Sequence, residues 1–267
     1  MRKRLDVLLV ERGLFESRER AQRAILAGLV HHDGRQVDKP GQLVDGEGRL
    51  EVRGGQPYVS RGGEKLAFAL SAFELRVDGK TCLDIGASTG GFTDCLLQHG
   101  AARVFAVDVG RGQLAWRLRQ DPRVVVLEGV NARHLRPGDL PARPDLLTVD
   151  VSFISLGLIL PPALRILDRE GDAIALIKPQ FEAGREKVGK HGVVRRPEVH
   201  REVIAKVLES ARGLGMRLCG LTHSPLLGPR GNIEFLAWWA RGEESAIDGG
   251  RIEEVVAAAH AALLNPV

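Results

Sequence analysis

Cysteine is scarce in this chain, and nothing in it is both long and apolar. Cys82, Cys95 and Cys219 are its three cysteines in 267 residues. They lie far apart, without the close pairs of a structural zinc site, and no histidine–cysteine cluster replaces them, so no metal is expected. A sparse, odd set also argues against a disulfide scaffold and suits a reducing compartment. No hydrophobic run approaches the ~20 residues of a membrane-spanning helix. The segment Met1–Arg12 begins basic, but its apolar part is too short and too soon interrupted to read as a signal peptide. The cytoplasm is the expected compartment. Neither sign of charge dominates: 38 Lys and Arg against 34 Asp and Glu give a formal +4 and a pI near 9.2. That balance is compatible with a polyanionic partner without requiring one. What remains is an ordinary globular mixture, 44% hydrophobic and 27% charged, long enough for a substantial core and a small appended domain.

The chain is organised around Thr81-Cys82-Leu83-Asp84-Ile85-Gly86-Ala87-Ser88-Thr89-Gly90-Gly91-Phe92-Thr93-Asp94. A short apolar run ends in an acid, then passes through small residues into a helix beginning near Gly91. This pattern predicts the first strand of a parallel sheet, a tight turn and a helix. Glycines at 86, 90 and 91 would let a ligand approach the backbone, and the helix start would offer N–H groups to an anion. Ser88 stands where a dinucleotide fingerprint has its middle glycine, which argues against a pyrophosphate ligand. A glycine-rich βα turn with no ligand is the alternative.

Further apolar runs follow at Arg103–Asp108, Val124–Glu128, Asp145–Asp150 and Ala173–Ile177, with helices between them. Helices are expected from Glu64 to about Phe73, from Ser155 to Leu167 and from Pro197 to Arg212. Two closing strands near Met216–Thr222 and Ile233–Trp239 and a last helix over Arg251–Leu264 complete the pattern. Near-continuous apolar strands alternating with helices predict a parallel sheet covered on both faces. Ligands in such α/β sheets lie beyond the carboxyl ends of the strands, where Asp84, Asp108, Glu128, Asp150 and Lys178 all fall. Asp108 stands where an acid receives ribose hydroxyls, or else caps a turn. Asn131 could meet an adenine edge, or else form a turn.

Ahead of a turn-rich junction at Gly54-Gly55-Gln56-Pro57 lies a module of about fifty residues, marginal in size for independent folding. Leu5, Leu8 and Leu9 share a helical face closed by Gly13. Ser17 can cap a second helix that Gly28 ends, with Ala21, Ala24 and Ile25 inward. Asp33-Gly34 signals a hairpin, and Arg49–Arg53 a strand. Arg4, Arg18, Arg20 and Arg23 could sit on phosphate rows of a folded RNA, or form a solvated face. The arrangement Arg4-Leu5-Asp6 … Ser17-Arg18-Glu19-Arg20-Ala21 … Ile25 … Gly28-Leu29-Val30 … Gly34 … Val37 … Pro40-Gly41 resembles the S4-type RNA-binding domain. The resemblance implies a face that binds structured RNA through these arginines.

Lys65, Asp150, Lys178 and Glu234 together resemble the Lys-Asp-Lys-Glu tetrad of the FtsJ-like 2′-O-ribose methyltransferases. The likeness extends through Ser60-Arg61-Gly62-Gly63-Glu64-Lys65-Leu66, Val107-Asp108-Val109-Gly110, Asp150–Leu156, Lys178-Pro179-Gln180-Phe181-Glu182 and Gly231-Asn232-Ile233-Glu234. With the S4-type front end, nearly the whole chain resembles the TlyA, or haemolysin A, family. That resemblance implies a Rossmann-like α/β methyltransferase sheet over residues 58–267 behind a small α+β S4-type domain over residues 1–55. It implies transfer of a methyl group from S-adenosylmethionine to cytidine 2′-hydroxyls of ribosomal RNA, with ribosomal RNA or subunits as partner. Asp84, Gly86, Ser88, Gly90, Gly91, Phe92, Asp108 and Asn131 would then hold the cofactor. Lys178 would accept the hydroxyl proton, provided partial burial and the Lys65 cation let it shed its own, while Asp150 holds it. Lys65 and Glu234 would position the ribose.

Ser60 and Arg61 are expected at the mouth of the site. The glycine-interrupted basic stretch 184–201, with Arg185, Lys187, Lys190, Arg195 and Arg196, reads as a mobile loop, either an RNA clamp or a solvated segment. Of Trp116, Trp238 and Trp239, at least two are expected in packing rather than base stacking. Two other functions stay open: a silent RNA-binding or ribosome-assembly protein, which would need a broken tetrad, and a membrane-active haemolysin. The second lacks a spanning segment and a long amphipathic basic helix.

Overall fold

In the computed structural model, which describes residues 2–15, 17–52, 57–242 and 249–264, two units fold around separate cores. They comprise Met1–Pro57 and Tyr58–Val267. The junction read at Gly54–Gln56 lies outside the described residues, as does Arg53 at the end of the expected strand.

The smaller unit runs β1 (Arg2–Arg4), α1 (Leu5–Glu11), α2 (Arg18–Leu26), β2 (Val30–His32), β3 (Arg35–Gln36), β4 (Leu43–Asp45) and β5 (Leu50–Val52). Leu5, Leu8 and Leu9 of α1 pack with Ala21, Ala24 and Ile25 of α2, all buried, as the helical spacing requires. The Ser17 hydroxyl accepts the Arg20 N–H and caps α2. Asp33 and Gly34 both adopt positive φ, +49° and +78°, which is what a two-residue turn between right-twisted strands demands. Strand order is β3-β2-β5, and β1 pairs separately with β4. Nothing in Arg2-Lys3-Arg4 alternates in hydrophobicity, so β1 was not expected; its pairing with β4 makes it a strand.

The larger unit continues with α3 (Arg61–Ala72), β6 (Thr81–Ile85), α4 (Gly91–Gln98), β7 (Arg103–Asp108), α5 (Trp116–Arg119), β8 (Val124–Glu128), β9 (Leu146–Val149), α6 (Leu156–Ile166) and β10 (Asp172–Ile177). Then come α7 (Pro179–Glu182), α8 (Pro197–Arg212), β11 (Met216–His223), β12 (Phe235–Arg241) and α9 (Gly249–Leu264). One sheet has the order β11-β12-β10-β9-β6-β7-β8. Strands β8, β7, β6, β9 and β10 are mutually parallel, while β12 runs antiparallel to both β10 and β11. Side-chain alternation splits the core in two. Leu83, Ile85, Val149, Ile177 and Trp239 pack with α6, α8 and α9, whereas Cys82, Val104, Leu146, Ile174 and Leu236 pack with α3 and α4. Among the described residues, no helix is long and apolar enough to cross a membrane.

Candidate active site

Strand order reverses at β6, with β7 and β8 on one side and β9 and β10 on the other. A crevice opens at the carboxyl ends of strands at such a reversal. There lies a cavity of about 230 Å³ lined by Ser60, Gly62, Lys65, Gly86, Ala87, Ser88, Thr89, Gly91, Phe92, Asp150, Ser152, Lys178, Pro229 and Glu234. All four expected tetrad residues share this lining. So do Gly86, Ser88, Gly91 and Phe92 of the glycine-rich loop, and Ser60.

The glycines are small for a different reason than the sequence implied. A Cβ on Gly86, whose φ is +86°, would stand 2.3 Å from the Asp150 carbonyl oxygen. One on Gly91 would stand 2.2 Å from Ser60 Oγ and 2.9 Å from Gly63 N, and one on Gly90 would strike Leu118. Each glycine thus admits another part of the protein. Gly86 lets the β6 and β9 ends close up, and Gly91 lets α3 and α4 touch. A ligand can still reach Gly86 and Gly91 from the cavity side, but Gly90 is filled in.

Three expected cofactor contacts are otherwise engaged. Asp84 is wholly buried under α4, where its carboxylate accepts the Thr93 hydroxyl at 2.6 Å and the Thr148 hydroxyl at 3.2 Å. Strand parity turns its side chain into the α3–α4 face, so it supports the loop from below instead of lining the cavity. Burial pushes its carboxyl up to about 7, helped by the Asp150 charge and opposed by the threonine bonds. Asn131 is spent on capping the turn Ala132–His134, accepting the Arg133 N–H at 3.1 Å. Asp108 accepts N–H bonds from Ser88 at 2.9 Å and Gly110 at 2.6 Å, so its carboxylate ties the two loops that flank the cavity. Glu128 at the next strand end pairs with Arg119.

The tetrad forms two ion pairs. Lys65 of α3 and Glu234, which immediately precedes β12, are paired in a buried contact, the lysine side chain 9% and the glutamate 0% exposed. Antiparallel β12 brings its leading residue to the edge where β10 ends, which explains how a residue before a strand joins others that follow strands. Glu234 Oε1 is buried with no hydrogen-bond partner. Lys178 Nζ stands 2.6 Å from Asp150 Oδ1, but that oxygen receives no aligned hydrogen bond. The aligned bond from Lys178 goes to Ser152 Oγ at 3.0 Å.

Ser152 was not picked out from the sequence, nor was Glu182. The buried Glu182 carboxylate accepts the Ser155 hydroxyl at 2.6 Å and the Leu156 N–H at 2.7 Å. It thereby joins the segment after β9 to the segment after β10. Burial raises its carboxyl above the usual range. Between these anchors, Phe153 is 91% exposed with a φ of +64°, a left-handed conformation that costs a bulky residue free energy.

Among the expected RNA contacts, Arg4 and Arg18 both bond the buried Asp6 carboxylate at 3.0 Å, while Arg20 and Arg23 are exposed on α2. The arginine forks hold the Asp6 carboxyl well below its usual range, the Arg4 bond most of all. Arg61 donates to the Leu227 carbonyl. The basic stretch is folded back rather than loose. Val193 and Val194 are buried, and Asn232 accepts the Val194 N–H and donates to the Gly192 carbonyl. Lys187 pairs with Glu202 and Arg196 with Glu198, while Arg185, Lys190 and Arg195 are exposed. Trp239 is buried, Trp238 half-buried, and Trp116 exposed at 68%.

Residues 58–241 match the FtsJ-like methyltransferase family, and residues 3–50 match the S4 domain. YqxC of Bacillus subtilis is 51% identical over 268 aligned residues, covering 98% of this chain and 95% of that one. The 16S/23S rRNA (cytidine-2′-O)-methyltransferase TlyA of Mycobacterium tuberculosis is 46% identical over 257 residues, 96% of each chain. Among solved structures, a hemolysin-named protein of Streptococcus thermophilus superposes with a TM-score of 0.76 at 48% identity, over 98% of this chain and 96% of its own.

Proposed function

The chain belongs to the FtsJ-like methyltransferase family, and from that premise we propose that it methylates the 2′-hydroxyl of cytidine in ribosomal RNA, using S-adenosylmethionine. One observation carries the reading: Lys65, Asp150, Lys178 and Glu234, from four separate segments, meet as two ion pairs on one cavity at the sheet's reversal point.

The residues present fit the cofactor. Asp150 Oδ1 and Glu234 Oε1 are buried acceptors with no donor aligned on them, a lining suited to a cationic sulfonium. Gly86, Ser88 and Gly91, with the first N–H groups of α4, would receive its anionic end. Asp108 would receive the ribose hydroxyls through lone pairs beyond those given to Ser88 and Gly110. When bound, S-adenosylmethionine supplies a methyl group already activated for transfer. The chain's residues therefore have to hold the ribose hydroxyl in line and take its proton. Lys178, once its own proton has been given up, would take the hydroxyl proton and hold it as the ammonium, with Asp150 beside it balancing that charge. Lys65 and Glu234 neutralise one another and present polar atoms to the ribose. The smaller unit anchors the RNA through the arginines that Asp6 orders, and Arg185, Lys190 and Arg195 add phosphate contacts on the cavity-bearing unit.

The test is a map of 2′-O-methylation across ribosomal RNA from cells with and without the gene, complemented by wild type or Lys178→Ala. Cytidine modifications that vanish with the gene, return with wild type and stay absent with K178A are expected. An unchanged map would refute the activity.

A further inference from the structure

We propose that Ser152 is the residue that aims the Lys178 lone pair at the substrate hydroxyl, a positioning role distinct from the charge that Asp150 supplies. The inference rests on the reading of Lys178 as proton acceptor. An amine that takes a proton must point its lone pair at that proton, and a lysine nitrogen turns freely about its last bond unless its hydrogens are held. Asp150 Oδ1 is close, at 2.6 Å, but off the direction of any aligned hydrogen bond, so it fixes charge and not orientation. The aligned bond of Nζ goes to Ser152 Oγ at 3.0 Å. Ser152 also lines the cavity. With one N–H committed to Ser152 the nitrogen no longer turns freely, and the lone pair of the neutral amine is left a direction on the cavity that Ser152 and Lys178 both line. In the transfer the ribose O–H bond would break with its proton joining that lone pair, the oxygen's electrons would form the new bond to the methyl carbon, and the methyl–sulfur bond would break with its electron pair left on the neutral thioether.

Ser152 is itself held in place. It is exposed on a loop and directly precedes Phe153 at φ +64°, a conformation that persists only where the surroundings over-determine it. Glu182 does so. Four residues beyond Lys178, its buried carboxylate grips Ser155 Oγ and Leu156 N, three and four residues beyond Ser152. One side chain therefore fixes the separation of the two segments that carry Ser152 and Lys178. A serine hydroxyl that accepts from Lys178 keeps its own hydrogen for a second partner, so Ser152 remains compatible with substrate beside it.

Single-turnover methyl transfer at saturating RNA and cofactor is to be compared for wild type, Ser152→Ala, Ser152→Thr and each change in a Lys178→Ala background. S152A should slow transfer about tenfold or more, with cofactor and RNA affinities within about twofold, because only direction is lost. S152T, which keeps the hydroxyl, should recover most of the rate. In the K178A background S152A should add nothing. Rates equal to wild type, an S152T as slow as S152A, or losses that multiply in the K178A background would each overturn the proposal. A second arm does not depend on activity: the ¹⁵N signal of the Lys178 side chain, assigned by its absence in K178A, should shift in S152A and return in S152T. An unshifted signal would overturn the proposal as well. If wild type transferred no methyl to ribosomal RNA, the functional reading would fall, and the lysine signal would still decide the Ser152 contact.

Discussion

Replacing Asp84 with asparagine should stabilise the larger unit, and only above mildly acidic pH. Asp84 lies wholly buried, and its carboxyl is pushed from 3.8 to about 7, first by desolvation and then by the nearby Asp150 charge, against the pull of Thr93 and Thr148. Between those values the native state holds a proton that the unfolded chain has released. Stability therefore falls as pH rises through the window from about 4 to 7, and above it the loss is complete. A shift of about three units at 1.36 kcal/mol each sets the withdrawn stability at about 4 kcal/mol. Asparagine keeps the shape and one carbonyl acceptor without the charge. D84N should thus match wild type only near pH 3.5, below the unfolded value, and exceed it by about 2–4 kcal/mol at pH 8, less whatever the altered threonine bonds cost. Urea unfolding followed by tryptophan fluorescence is the natural assay, since Trp116, Trp238 and Trp239 all lie in the larger unit. Taking the difference between variant and wild type at each pH cancels other titrating groups. A difference that does not grow with pH, or a D84N weaker than wild type at pH 8, would refute the buried-carboxylate account.

His200 works in the opposite sense. Its imidazole, lowered from 6.5 to about 4 by burial and by His260, gives stability that is present above pH 6.5 and lost as pH falls to about 4; urea titrations of His200→Gln should show a flatter acid limb. Gly86→Ala should cost about 2 kcal/mol or more and abolish cofactor binding by calorimetry, because the new Cβ would lie 2.3 Å from a backbone oxygen at a φ of +86°. Lys178→Arg should lose at least about a hundredfold in single-turnover transfer, since arginine keeps the charge but cannot serve as the base; near-normal transfer would make Lys178 an electrostatic clamp. Reversing Arg18, Arg20 and Arg23 to glutamate should abolish RNA binding in filter assays and leave cofactor affinity nearly unchanged, and an unaltered salt dependence would show that these arginines touch no phosphate.

Strands β7 and β8 and helix α8 could be read from the sequence to the residue, because Arg103–Asp108 and Val124–Glu128 are uninterrupted apolar runs and Pro197 marks a helix start. The short α5 and α7, like β1, carry too little periodicity to announce themselves. Asp84 was misplaced for a geometric reason: proximity to a strand's end looks like exposure on its edge until strand parity assigns the side chain to a face. Glu234 could not be oriented from alternation, and its place depended on a likeness to other chains until β12 proved antiparallel. Ser152 has no signature at all. A serine in a loop becomes informative only through the lysine that reaches it from another strand, and that meeting is a property of the fold.

Strand β12 lies between β10 and β11 although it is the last of the three to be made. During synthesis, the glycine-rich loop and the Lys178–Asp150 pair can assemble while Glu234 is still inside the ribosome that is making the chain. Lys65 must then wait for a partner 169 residues downstream before its ammonium can be buried. The last two strands have to insert together, with β12 sliding against β10, and such distant pairings form late. A fragment ending before residue 234 would therefore keep the glycine-rich loop and lack one member of the quartet.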